Sequence, residues 1–378
     1  MPAIHPLRYR VARLLATAGI QLDGGGECDP VIHDQRFHAR VLAQGSLGLG
    51  ESWMEGWWDV PSLDGMLAQL LQAGLDKRVH GLASVVDGMR AWLLNLQVER
   101  RSGEVGRRHY DLGNDLYAAM LGKRLVYSCG YWRDAADLDA AQEAKLDLVC
   151  RKLRLRPGLR LLDIGCGWGE ALKYAAERHG VRGVGVTISA EQAAYARRLC
   201  AGLPVEIRLQ DYRHIEPGAF DRVLSIGMFE HVGARNYAVF FDVAKRCLDP
   251  AAEDGGLALL HSIGSNISTR HTDPWIARYI FPNSMIPSAA QIAAALEGRF
   301  VIEDWHGFGP DYDRTLQAWR TNVEAAWERL PARYDTRFRR MWRFYLAASM
   351  ASFRARRNQL WQLLLSPRGV PGGLQEIR

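Results

Sequence analysis

The stretch Arg160-Leu161-Leu162-Asp163-Ile164-Gly165-Cys166-Gly167-Trp168-Gly169 decides how this chain folds. Leu161, Leu162 and Ile164 make a short apolar run of the kind that a strand buried on both faces requires. Glycines follow at alternate positions, and a helical pattern runs from Gly169 to His179. Glycine permits a sharp turn after a strand and lets a ligand approach the backbone closely. Strand, glycine turn and helix in this order open a βαβ unit. The turn then lies at the carboxyl end of the first strand, where open α/β sheets bind ligands. The spacing is G-x-G-x-G, not the G-x-G-x-x-G of dinucleotide folds, so no pyrophosphate site is implied. Asp163, just before the glycines, is placed to order the turn or to meet an ammonium group.

Downstream the pattern repeats. Strands are predicted at Arg160–Ile164, Gly183–Val186, Val205–Leu209, Arg222–Ile226, Leu257–Ser262, Phe300–Trp305 and Leu360–Leu365. Helices are predicted at Gly169–His179, Ala190–Cys200, Asn236–Leu248, Ala289–Leu296, Arg314–Arg329 and Ala332–Arg354. Short apolar strands alternating with helices imply a mostly parallel sheet covered on both faces. The last strand follows a long helical stretch, which suits an antiparallel insertion. Upstream, Arg8–Ala18, His38–Ala43, Leu63–Leu71 and Leu82–Leu96 read as helices, broken by Asp23-Gly24-Gly25-Gly26 and by the glycine-rich Gly45–Ser52. A small, mainly helical domain over residues 1–98, a polar linker at 99–108 and a catalytic α/β domain over 109–378 are therefore expected.

With 378 residues, 48% of them hydrophobic, a sizeable core is within reach. The six cysteines (Cys28, Cys129, Cys150, Cys166, Cys200 and Cys247) are scattered without a C-x-x-C pair, which suits a reducing cytoplasm better than a disulfide framework. No signal-peptide pattern and no run of about 18 apolar residues is present. The net charge of +6 is compatible with nucleic acid or anionic lipid. Its clusters, Arg100-Arg101, Arg107-Arg108, Arg337–Arg340 and Arg354–Arg357, do not form one stripe, so nucleic acid is not the expected partner.

The turn Asp163–Gly169, ending a strand and opening a βαβ unit, resembles motif I of the Rossmann-like S-adenosylmethionine methyltransferases. Further phrases narrow this: Arg108-His109-Tyr110-Asp111-Leu112-Gly113-Asn114-Asp115-Leu116-Tyr117, Tyr127-Ser128-Cys129-Gly130-Tyr131-Trp132, Val186-Thr187-Ile188-Ser189, Gly227-Met228-Phe229-Glu230-His231-Val232-Gly233, Leu260-His261-Ser262-Ile263-Gly264, Tyr279-Ile280-Phe281-Pro282, Phe308-Gly309-Pro310-Asp311-Tyr312 and Phe353-Arg354-Ala355-Arg356. In this order they resemble the cyclopropane fatty acid synthase family across essentially the whole chain. Gly50-Glu51-Ser52-Trp53-Met54-Glu55-Gly56-Trp57-Trp58 fits the branch that acts on phospholipids, with the mycolic acid enzymes more distant. One departure is Ser349, where some relatives carry cysteine.

The resemblance implies a Rossmann-like S-adenosylmethionine methyltransferase fold, with a seven-stranded, mostly parallel sheet. It implies a donor site of Tyr127, Ser128, Asp163, Gly165, Gly167, Trp168, Gly169, Thr187, Ile188, Gln192, Gln210, Asp211, Tyr212 and Ile226. Many relatives place an acid after the second strand for the ribose; here Thr187 and Gln192 stand near that point. Asp211 or its neighbours are expected at the adenine, with Tyr212 stacking. The implied reaction adds a methylene across a cis double bond. An isolated alkene is a weak nucleophile and must be held in line with the sulfonium methyl. The resulting cation must lose a proton, and water must be kept away. The family uses a bound bicarbonate ion as the base. The residues that fall on its matching phrases are Cys129, Glu230, His261, Ile263 and Tyr312. Glu230 and His261 suit hydrogen bonding to an anion, the backbone at Cys129 and Ile263 suits donation to an oxyanion, and Tyr312 offers a hydroxyl and an aromatic face to a cation.

Each type has a plainer use: a lone cysteine is more often a small buried hydrophobe than a nucleophile, and adjacent Glu230-His231 does not face one metal. No metal site is expected. Unsaturated phospholipid at the inner membrane surface is the implied acceptor, with the enzyme cytoplasmic, peripheral and homodimeric. Leu82–Leu96 and the Trp53–Trp58 cluster are candidates for docking, although the tryptophans fit a core role better. Branched-chain methylation of an unsaturated lipid, methylation of a small amine and non-catalytic lipid binding are the competing readings.

Overall fold

The computed structural model describes residues 6–77, 113–252, 255–269 and 271–378. The expected helix at Leu82–Leu96, the linker at 99–108 and the arginines between 100 and 108 lie outside the described residues. The chain divides into two compact units. One comprises Met1–Leu94, Arg270–Pro282 and Leu316–Asn358, the other Asn95–Thr269, Asn283–Thr315 and Gln359–Arg378.

In the first unit a two-residue ribbon pairs β1 (Val31–Ile32) with β2 (Trp58–Asp59). The helices Leu63–Gln72 and Thr336–Arg354 pack on one another, and Ser46–Met54 packs against the latter. Asp64 ties the arrangement together: its two oxygens take Arg320 at 2.7 Å and Arg354 at 2.8 Å. Trp53 and Trp58 are buried with rings 5.1 Å apart, and Trp53 Nε1 donates to the Arg340 carbonyl at 2.9 Å. These tryptophans are core. A Cβ at Gly50 would sit 2.4 Å from the Trp275 ring, so only glycine fits where these two segments meet. The unit thus recruits residues 270–282 and 316–358, which the sequence-based division at 99–108 assigns to the catalytic part. The reason is tertiary: the apolar face of Thr336–Arg354 and the partners of Asp64 and Gly50 all come from far along the chain.

The second unit is built on a sheet of seven strands: β3 (Arg160–Ile164), β4 (Arg182–Thr187), β5 (Val205–Leu209), β6 (Arg222–Ile226), β7 (Leu257–Ser265), β8 (Val301–Gly307) and β9 (Asn358–Ser366), in the order β5-β4-β3-β6-β7-β9-β8. β5, β4, β3, β6 and β7 are parallel. β9 enters between β7 and β8 and runs antiparallel to β8, as its position in the sequence suggested. Alternate residues of β3 go to opposite faces. Leu161 joins the cluster with Leu146, Leu172 and Leu224, and Leu162 joins the one with Phe229, Phe240 and Leu363. The strand order reverses direction of growth on either side of β3, which opens a crevice at the carboxyl ends of β3 and β6.

A helix at Leu138–Lys152, absent from the sequence-based reading, begins where the Asp137 carboxylate accepts from the Ala140 N–H at 2.9 Å. It lies against Glu170–His179, which runs on from the glycine turn.

Candidate active site

The turn after β3 is held from the neighbouring strand. The N–H groups of Gly165 and Cys166 both donate to Val186 O at 3.0 Å. Gly165 has φ 86°, and a Cβ there would lie 2.7 Å from Met228, so the close approach of the β6 loop needs glycine. Trp168 is buried and its Nε1 donates to Asn114 Oδ1 at 3.1 Å; its ring meets Tyr117 at 5.2 Å, which in turn meets Tyr127 at 5.3 Å. The N-D-L-Y phrase thereby braces the glycine turn.

A cavity opens over this turn. Its wall includes Tyr127, Ser128, Asp163, Gly165, Gly167, Trp168, Thr187, Ile188, Gln192, Gln210, Asp211, Tyr212 and Ile226. Of the residues expected at the donor, Gly169 stands apart: it precedes helix Glu170–His179 at φ 90° and does not line the cavity. At the end of β4, where an acid is missing, Thr187 Oγ1 and Gln192 Oε1 lie 3.0 Å apart. Burial alone would raise the Asp211 carboxyl, but the Arg213 guanidinium at 2.6 Å holds it below the usual range. Tyr212 meets Phe240 at 5.7 Å.

Two further groups on this wall escaped sequence reasoning. Lys145 is buried and gives its Nζ to Ser128 Oγ at 3.0 Å, and Gln142 Nε2, one turn earlier, holds Ser128 O at 2.7 Å. Glu170 is paired with Arg124 at 2.6 Å. Burial draws Lys145 down to about 8 and pushes Asp163 up to about 7, the latter offset by the nearby Lys145 ammonium.

Four of the five expected acceptor-side residues are buried, and the structure joins them in two groups. In one, Thr315 Oγ1 accepts from Gly130 N–H at 3.1 Å and Trp132 Nε1 at 2.8 Å, and donates to Asp311 O at 2.9 Å. Asp311 Oδ2 takes the Trp132 N–H at 2.7 Å. These bonds fasten the Cys129 segment to helix Pro310–Glu324, which carries Tyr312. Cys129 Sγ lies 3.6 Å from Thr315 Oγ1, and complete burial keeps its thiol protonated, well above its ordinary value. Thr315→Val would leave two buried donors unsatisfied, at about 1–3 kcal/mol each. A loss of roughly 2–5 kcal/mol in denaturant unfolding is expected, with lowered turnover; unchanged stability would refute the role assigned to this hydroxyl.

In the other group, Glu230 Oε1 accepts from the Ile263 N–H at 2.7 Å, while Glu230 Oε2 is buried without a partner among the described residues. The expectation that the Ile263 N–H faces an oxyanion is therefore revised: it is committed to Glu230. Burial raises the Glu230 carboxyl to about 7, against the pull of that N–H, of its own backbone and of the Ser262 hydroxyl. His261 Nδ1 meets the Gln362 amide at 3.3 Å, and its Nε2 has no partner among the described residues. Burial first, then the Lys145 and Lys152 charges, keep this imidazole neutral, well below its ordinary value. Gln362 went unnoticed in sequence, although a glutamine inside the run Leu360–Leu365 is a visible anomaly. Among the described residues, no group of His, Cys, Asp and Glu is arranged to hold a metal ion.

A mostly parallel sheet with a glycine turn after its first strand, and a cavity over that turn, fit an S-adenosylmethionine-dependent methyltransferase, and comparison with known proteins shows the chain to be one. The sequence profile of the mycolic acid cyclopropane synthetase family matches residues 97–363, and the chain belongs to that family. It is 49% identical over 372 residues to the cyclopropane-fatty-acyl-phospholipid synthase of Escherichia coli strain K12, covering 98% of this chain and 96% of the relative. Among solved structures it resembles mycolic acid cyclopropane synthase CmaA1 complexed with SAH and CTAB, with a TM-score of 0.64, 30% identity, and 70% of this chain and 97% of the other covered. Coclaurine N-methyltransferase bound to N-methylheliamine and SAH gives a TM-score of 0.68 at 21% identity, over 84% of this chain and 98% of the other, a likeness of fold.

Proposed function

We propose that this enzyme transfers a methylene from S-adenosylmethionine across the cis double bond of unsaturated phospholipid acyl chains. The observation that carries the reading is the buried Glu230 carboxyl, held by the Ile263 N–H with its second oxygen unspent, in a chain 49% identical to a phospholipid cyclopropane synthase. Methyl transfer to an alkene leaves a carbocation. A free carboxylate or a water molecule beside it would be alkylated, so the site must present polar groups without a strong nucleophile. A neutral His261 meets that requirement, and burial, by raising Glu230 to about 7, reduces the share of its carboxylate form near neutral pH. The orphaned Glu230 Oε2 and His261 Nε2 fit the recognition of a small oxyanion. Bound bicarbonate would supply the base for the last proton, with Glu230 and His261 as its proposed holders and Cys129 and Tyr312 assigned beside them by the family's phrases alone. Cys129 acts as a filler rather than as a nucleophile.

The reading includes work at the inner membrane surface as a peripheral, cytoplasmic homodimer. Its membrane-surface part is supported by the excess of 48 Lys and Arg over 42 Asp and Glu and by the lipid acceptor named for the relative, while the dimer follows the family resemblance. Among the described residues, no helix is long and apolar enough to cross a membrane. Incubation with S-adenosylmethionine and vesicles of unsaturated phosphatidylethanolamine, followed by mass analysis of the released fatty acids, tests the reaction. The expected product has gained one CH₂ and lost its double bond. A methylated chain that is still unsaturated would establish the branched-acid reading instead. Turnover is expected to fall in carbonate-depleted buffer and to return on adding bicarbonate.

A further inference from the structure

The donor cavity carries five carboxylate or cationic centres, Lys145, Asp163, Glu170, Asp211 and Arg213, whose partners can be compared. Glu170 is spent on Arg124 and Asp211 on Arg213, each at 2.6 Å. Two remain. Lys145 has three donors, and among the described residues its hydrogen bonding is limited to Ser128 Oγ. Asp163 has a buried Oδ1 without a partner. One cation and one carboxylate therefore line the same wall, each within the other's field but neither in an ion pair among the described residues. A neutral lipid or the adenosine end of the donor matches neither. The α-amino acid end of S-adenosylmethionine, which carries one carboxylate and one ammonium, matches both.

We infer that Lys145, together with the Ser128 hydroxyl it touches, recognises the carboxylate of the donor's amino acid end, opposite Asp163. Ser128 Oγ accepts from the ammonium, so its own hydrogen is free to be offered to an anion. Gln142 fixes the same residue by its carbonyl, so one helix face sets both the charge and the hydroxyl. An ammonium removed from water gains from an arriving carboxylate, because a charged hydrogen bond in a buried site is roughly twice as strong as a neutral one. The sulfonium donor is thereby gripped at the end remote from its reactive methyl. This rests on the reading of the cavity as the S-adenosylmethionine site.

Three ligands separate the parts: S-adenosylhomocysteine, S-adenosyl-3-thiopropylamine, which lacks only the carboxylate, and 5′-methylthioadenosine, which lacks the amino acid end. By calorimetry the wild type is expected to prefer the first over the second by about 10–100-fold, the worth of a charged hydrogen bond. Lys145→Met should reduce that ratio to about threefold or less and Lys145→Arg should restore part of it, by the same reasoning. Affinity for 5′-methylthioadenosine should be unchanged in both. Retention of the full ratio in Lys145→Met, or absence of any preference in the wild type, would overturn the inference. So would an equal loss for 5′-methylthioadenosine, which marks a merely structural lysine. If Lys145→Met does not fold, the wild-type preference and Lys145→Arg decide it. Failure of the wild type to bind S-adenosylhomocysteine at all would instead remove the donor reading on which this rests.

Discussion

Glu230→Gln is expected to bind S-adenosylhomocysteine as the wild type does and to lose turnover by roughly 10²–10⁴-fold, the range for removal of a positioned proton-handling group. Glutamine keeps the acceptor for the Ile263 N–H and removes the titrating carboxyl. The same variant should be more stable than the wild type at high pH. The Glu230 carboxyl titrates near 7 in the folded chain, above the ordinary 4.5. A raised carboxyl costs nothing below pH 4.5, where both states are protonated. Its penalty grows as pH climbs towards 7 and is constant above it, on the order of 3 kcal/mol for such a shift. Denaturant unfolding at pH 8 should therefore favour the variant, with the gap closing near pH 4.5. Full turnover in Glu230→Gln would remove this residue from the chemistry.

Gly165→Val is expected to abolish donor binding at usable concentrations. At φ 86° a β-branched residue is a genuine outlier, and its Cβ would press within 2.7 Å of Met228. Strain of this kind costs on the order of 1–3 kcal/mol. The collision must also be relieved by moving the turn or the β6 loop, and both line the cavity. Gly202→Val is the control: it has φ 84° but nothing within 4 Å, so it bears similar strain without the collision. It should lose some stability and keep its affinity for S-adenosylhomocysteine. Equal loss of binding in both variants would show that strain, not the close approach, explains the effect.

The glycine turn and its sheet were legible because their signals are local. The run Leu161–Ile164 needs burial on both faces, and the structure gives it that. The helix Leu138–Lys152 was not legible because its inward face carries Gln142, Lys145 and Lys152 at positions where the helical period demands apolar residues. Those three interruptions hid the element, and two of them reach Ser128 while Lys152 reaches Asp304 and His306. Polar residues on a core stripe are the signal that was available. The donor residues came from motif resemblance, and the structure gathers all but Gly169 around one cavity. The commitment of the Ile263 N–H to Glu230 could not be read, since it joins residues 33 apart on different elements. The division of the chain escaped for a similar reason: Asp64 finds Arg320 and Arg354 only once helices distant in sequence have met.

Thr315 has one hydrogen and two lone pairs, and every one is used: Asp311 O takes the hydrogen, and the Gly130 and Trp132 N–H groups take the lone pairs. Such an oxygen has no second arrangement of equal energy. The loop of Cys129 and the first turn of the Tyr312 helix are consequently expected to move as one, and hydrogen exchange should find the Gly130 amide proton meeting solvent only when that part of the chain unfolds.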